Sequence, residues 1–151
     1  MTVSVQEADF DVTRETAVLC AGDHGVGAIA SFTGKVRGAA HGRSLASMSL
    51  EHYPGMTESE LEAIEAEAVR RFSLSHSRII HRVGTLLPGD NIVLVIACAP
   101  HRHDALHACD FLMDYLKTKA PFWKKETDGD GNGHWVDARD SDDAALSRWQ
   151  S

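Results

Sequence analysis

The stretch Asn91–Ala99, NIVLVIACA, constrains the fold more than any other. It is almost wholly apolar and rich in β-branched residues, and it follows the turn signal Pro88-Gly89-Asp90. A run of this length and kind predicts a central strand buried on both faces. The chain must therefore cover that strand twice. Its other patterns interleave helix and strand without regular alternation, which predicts an α+β fold rather than a doubly wound sheet. With 151 residues, 43% of them hydrophobic, one domain with a sizeable core is expected.

The remaining elements follow from periodicity. Residues 1–20 alternate loosely and predict at most an N-terminal strand; Ala21–Gly27 reads as a loop without a dinucleotide fingerprint. Gly27–Val36 predicts a strand, Gly38–Arg43 a connection, and Ser44–Tyr53 a strand with Ala46, Met48 and Leu50 on one face. Pro54-Gly55 turns the chain. Thr57 and Glu60 form a capping-box pattern ahead of a helix over about 58–72. That helix puts Leu61, Ile64, Ala68 and Phe72 inward and Glu58, Glu62, Glu65 and Glu67 on a solvated face. Arg78–Gly84 predicts a further strand. A second helix, from His103 to about Lys119, should face Ala105/Leu106, Ala108/Cys109, Leu112/Met113 and Leu116 inward. His134–Arg139 reads as a last strand and Asp142–Trp149 as a short helix.

Charge then singles out one segment. The formal net charge is −7, yet four of the five lysines, Lys117, Lys119, Lys124 and Lys125, fall within Asp114–Glu126. Proline at 121 disfavours helix at Ala120. A helix bearing Lys117 should stop there, and Lys124 should follow on an extended or turning segment beside Phe122 and Trp123. Amines could then reach one space from two directions, at the end of an apolar groove walled partly by those two rings. Lys35 and Arg37 in FTGKVR end a strand, as does Arg139, and His101-Arg102 follow the apolar strand. These groups, with Lys117 and Lys124, are expected to converge on one cationic pocket for a small anion such as a phosphate ester. Crowded cations also lower a lysine's pKa and so make an amine useful as base or nucleophile.

Other constellations carry less. Asp128-x-Asp130-x-Asn132-Gly133 imitates a calcium loop, but its twelfth position is Arg139 rather than a bidentate carboxylate. His103 and His107 share a helical face without an evident third ligand, so no metal is expected. The three cysteines form no C-x-x-C, which fits a reduced, cytoplasmic compartment. The first residues lack the form of a signal peptide, so none is expected, and no apolar run approaches the length of a membrane span. The acidic balance argues against a duplex nucleic-acid binder.

Several ordered blocks resemble one family. FTGKVR, LEHYPGMTE, IIHRVG, LLPGD, APHR and above all MDYLKTKAPFWKKE are similar to the MoaE family, the large subunits of molybdopterin synthase. The likeness runs from about Gly27 to Trp149, and the first 20 residues add little. It implies an α/β hammerhead-type fold with an additional antiparallel sheet. It also implies a homodimer that becomes a heterotetramer by docking two ubiquitin-like sulfur-carrier subunits of the MoaD family. The implied reaction converts cyclic pyranopterin monophosphate (precursor Z) to molybdopterin. Both sulfurs come from a thiocarboxylate on the carrier's C-terminal Gly-Gly, and no resident cofactor is needed. The implied catalytic residues are Lys117 and Lys124. The implied substrate-binding residues are Lys35, Val36, Arg37, His101, Arg102, Lys125, Glu126 and Arg139.

Three other functions compete on residue grounds. A single-strand nucleic-acid module could stack bases on Phe122 and Trp123. A metal hydrolase could use His101, His103 and His107. A sulfurtransferase could act through Cys98 or Cys109, although both cysteines lie where core packing is expected.

Overall fold

The computed structural model describes residues 2–40, 42–136 and 140–150. The first sheet contains β1 (Val3–Gln6), β5 (His76–Arg82), β7 (Asn91–Ala99) and β2 (Ala28–Lys35), in that spatial order. β1 runs parallel to β5; β5 and β2 flank β7 antiparallel. β7 is thus interior, as its composition predicts. One of its faces, Val93, Val95, Ala97 and Ala99, packs in the main core with α2 (Met56–Phe72) and α3 (Arg102–Thr118). The other face, Leu94, Ile96 and Cys98, lies beneath Phe10, Val12, Leu19 and Cys20.

That second cover is α1 (Val12–Leu19), a helix the alternation in residues 1–20 does not suggest. None of its residues is fully buried, so its apolar stripe is faint. Its visible signal is Asp11, whose carboxylate caps the helix by accepting from the Arg14 amide at 3.1 Å.

Helix α2 begins earlier than the capping-box pattern places it. Gly55 precedes it with φ 86°, and the Glu58 carboxylate accepts from the Gly55 amide at 3.4 Å. Thr57 is fully buried instead of capping. Its hydroxyl accepts from the Tyr53 amide at 3.0 Å and donates to the Pro121 carbonyl at 3.1 Å. Glu65 also departs from the expected solvated face. It is buried and accepts from the Ser77 hydroxyl at 2.8 Å and from the Thr2 hydroxyl. Those donors offset the cost of removing a carboxylate from water. In α3 the stripe Ala105, Ala108, Cys109, Leu112 and Leu116 faces inward, but Leu106 lies one step off it and is exposed.

The second sheet is antiparallel, the additional sheet implied by the family likeness. β4 (Arg43–His52) has β8 (Phe122–Asp128) on one side, and β3 (Ala39–Ala40) and β6 (Gly84–Leu86) on the other. β9 (Gly133–Val136) extends it beyond β8. A register shift between Leu45 and Ser47 breaks the expected alternation, so Leu45 is buried and Ala46 exposed. Val36, Leu45, Met48, Leu50 and Leu86 form this sheet's own core. The chain crosses between the sheets directly after β5, turning at Gly84 with φ 88°. A last helix, α4 (Asp140–Ser147), follows β9, and Leu146 is buried.

Candidate active site

The site grows out of the break in the lysine cluster. α3 ends at Thr118, and Lys117 stands exposed on its last turn. Ala120-Pro121 stops the helix, and the Thr57 hydroxyl holds the Pro121 carbonyl against the first turn of α2. The chain then enters β8, where Phe122 pairs with His52 and Lys124 with Leu50. Lys117 and Lys124 thereby line one cleft of about 590 Å³.

The opposite wall is the end of β2. Lys35 and Arg37 line the same cleft, beside Gly34. A Cβ at Gly34 would lie 2.7 Å from Val93 Cγ1, so glycine lets the strand lie close over β7. Met113, Leu116 and Ile92 add apolar surface, and Phe122 and Trp123 add aromatic walls. Trp123 packs on Tyr53 with ring centroids 4.6 Å apart. Tyr53 is exposed there, 52%. This is the expected groove leading to Lys117. Four basic side chains line it, and no carboxylate does among the described lining residues. Such a surface suits an anion joined to a flat or apolar body.

The expected convergence of every strand-end cation fails within one chain. His101 and Arg102 precede and begin α3, whereas Lys117 lies in its last turn. Seventeen helical residues at ~1.5 Å each put roughly 25 Å between them. The cause is strand direction. β2 is antiparallel to β7, so Lys35 sits opposite Asn91 at the start of β7, while His101 follows its end. Arg139 lies outside the described residues.

The other expected contacts sort by face. Val36 is buried in the second core; its amide donates to the Asp90 carbonyl at 2.9 Å and its carbonyl accepts from the Gly89 amide at 2.8 Å. Lys125 points away from the cleft, its ammonium 5.8 Å from the Trp135 ring centroid. It crosses Gly133, where a Cβ would lie 2.2 Å from Lys125 Cε. Glu126 is buried. His103 and His107 are exposed, with ring centroids 6.2 Å apart. Asp128 accepts from the Asp130 and Asn132 amides at 3.0 and 2.9 Å, so its carboxylate closes a turn.

One cleft residue was not singled out from the sequence. His81, inside the block IIHRVG, lines the cleft and stacks on Phe122, with centroids 3.8 Å apart and planes 18° apart. Burial, with Lys117, Lys124 and His52 nearby, pushes its pKa down to about 4. The cysteines lie elsewhere. Cys20 Sγ and Cys98 Sγ are 3.0 Å apart under α1. Burial pushes Cys98 up to about 12, and Cys109 to about 11. Neither supplies a thiolate near neutral pH, which removes the ground for a cysteine sulfurtransferase.

The chain is similar to known proteins along nearly its whole length. The family model described as MoaE protein matches residues 5–119. The molybdopterin synthase catalytic subunit of Ralstonia nicotianae is 53% identical over 148 residues, covering 98% of this chain and 84% of that protein. The solved structure of the molybdopterin biosynthesis MoaE protein from Burkholderia ambifaria superposes with a TM-score of 0.84. It shares 55% identity, over 99% of this chain and 98% of that one. Molybdopterin synthase from Staphylococcus aureus gives a TM-score of 0.83 at 27% identity, over 91% and 98%.

Proposed function

The chain belongs to the MoaE family, and from that premise we propose that it is the catalytic subunit of a molybdopterin synthase, an enzyme that transfers sulfur. Its substrate is cyclic pyranopterin monophosphate, and its product carries a new dithiolene. Each sulfur arrives as a thiocarboxylate on the C-terminal Gly-Gly of a small ubiquitin-like carrier subunit. The term catalytic subunit, applied to the relative, already implies a second kind of subunit.

The observation that carries this reading is the cleft with four cations and no acid. In this reading Lys35 and Arg37, which line the cleft, hold the phosphate, and Val36 fixes the backbone between them. Lys117 binds and activates the incoming thiocarboxylate as an amine, and Lys124 aids proton transfer or holds the pterin intermediate. Exposed Tyr53, packed on Trp123, offers apolar surface at which a partner can dock. His101 and Arg102 lie too far from the cleft of their own chain to serve it. In a homodimer they contribute across the two-fold axis, giving a heterotetramer with the two carriers. Lys125 and Glu126 of β8, with Arg139, complete the proposed substrate-binding set. The reaction uses no resident cofactor or metal. The protein works in the cytoplasm, where its free thiols stay reduced. Among the described residues no helix is long and apolar enough to cross a membrane.

The test is conversion of precursor Z by purified protein with thiocarboxylated carrier. Lys117→Ala should abolish product while folding and carrier binding persist. Lys117→Arg keeps the charge but not a titratable amine, and should also lose ~10²–10⁴-fold in rate. Near-normal activity of Lys117→Arg would refute the lysine mechanism.

A further inference from the structure

The polar lining of the cleft is nearly all donor. Lysine and arginine offer N–H groups and no lone pair. The exceptions are the hydroxyls of Thr33 and Thr118; that of Thr118 donates to the Asp114 carbonyl at 2.7 Å and keeps its lone pairs, but it stands at the end of a helix rather than on a ring stacked in the cleft wall. A phosphate needs only donors. A heterocycle with N–H edges needs an acceptor as well.

His81 is the ring that can supply one. It is only 8% exposed, at the point where the chain leaves the first sheet for the second. Its Nδ1 lies 2.9 Å from the Arg82 carbonyl. A carbonyl cannot donate, so Nδ1 must carry the proton and Nε2 must present a lone pair. Among the described residues none hydrogen-bonds to Nε2, and the ring lines the cleft. Stacking on Phe122 fixes the ring plane. The charged and titratable neighbours are Lys117 from α3, Lys124 from β8 and His52 from β4; together with burial they disfavour a second proton.

We propose that His81 is a substrate-binding residue whose Nε2 accepts a hydrogen bond from an N–H or O–H of the bound heterocycle, while the surrounding cations hold its anionic group. This rests on the function proposed above and adds to it a reader of the substrate's uncharged edge. The residue favours a phosphate-bearing ligand that also presents an N–H or O–H over one that does not, because only the former satisfies the lone pair.

Two variants separate binding from structure. His81→Phe keeps a ring to stack on Phe122 but has no acceptor. His81→Gln restores an amide oxygen. With thiocarboxylated carrier, His81→Phe should raise KM for precursor Z ~10-fold while kcat changes little, the pattern of a lost ground-state contact. His81→Gln should recover part of that loss. Independently, ¹⁵N spectra of histidine-labelled wild type should show an unprotonated Nε2 that shifts on addition of the substrate without carrier. A wild-type KM in His81→Phe, or an Nε2 resonance that saturating substrate leaves unmoved, overturns the proposal. If His81→Phe does not fold, the ¹⁵N titration decides. Absence of turnover by wild type would sink the sulfur-transfer reading instead, and the ¹⁵N titration would still test His81.

Discussion

Mild acid should destabilise this protein through His81. An unfolded histidine titrates near 6.5, whereas burial and the neighbouring cations hold the folded imidazole at about 4. Above pH 6.5 neither state binds the proton, and His81 adds no pH dependence. Between 6.5 and 4 the unfolded chain binds it and the native chain does not, so stability falls as the pH falls. Below about 4 both states are protonated and the loss is complete. At ~1.4 kcal/mol per pH unit the total is about 3 kcal/mol, of which about 2 kcal/mol is already lost at about pH 5. That is a large part of a typical domain's stability. The carboxylates held low by hydrogen bonds, Asp9, Asp23, Asp128 and Glu67, keep their contribution until the pH nears 3.8, or 4.5 for Glu67, so they add little at about pH 5 and add it equally to wild type and variant. Urea unfolding of wild type and His81→Phe, at neutral pH and at about pH 5, isolates the histidine. The wild type should lose about 2 kcal/mol more than the variant. Equal losses would refute the argument, for they would mean that His81 takes up its proton in the native state at no cost.

Three further perturbations test the frame around the cleft. Thr57→Val removes the hydroxyl that joins the Tyr53 amide to the Pro121 carbonyl; it should cost ~1–3 kcal/mol in urea unfolding and lower turnover, and an unchanged midpoint would refute the link. Gly27→Ala would set a Cβ 2.2 Å from the Pro100 carbonyl oxygen; ~1–3 kcal/mol of destabilisation is expected in thermal unfolding, because backbone rather than a flexible side chain must move. Oxidation with diamide should join Cys20 to Cys98, whose sulfurs are 3.0 Å apart, and leave buried Cys109 free; peptide mapping that finds Cys109 in the disulfide would contradict the packing described.

Legibility differed from element to element. β7 could be read directly, because a strand covered on both faces needs apolar residues at every position. The lysine break could be read too, since proline at 121 acts locally. α1 was hidden because a short helix with no fully buried residue leaves almost no stripe, although Asp11 marks its start. Glu65 was misread because periodicity assigns a face but cannot see that Ser77 and Thr2 bring donors to it. The scattered cations failed for a topological reason. Sequence identifies strand ends, but only the antiparallel order of β2 and β7 tells that Lys35 and His101 occupy opposite edges. His81 escaped notice because its role depends on a tautomer set by a backbone carbonyl, and no spacing rule encodes that.

The distribution of lysine has a practical consequence for anyone handling this protein. Three of its five side-chain amines, Lys35, Lys117 and Lys124, line the cleft, and the ten other basic residues are arginines. Acylating dyes, amine cross-linkers and activated resins react with lysine and spare guanidinium. Such a reagent therefore falls on the cleft more often than on the remaining surface. Amine coupling would silence the enzyme in proportion to the label attached, and bound substrate should protect it. Attachment through the many carboxylates keeps the working face open.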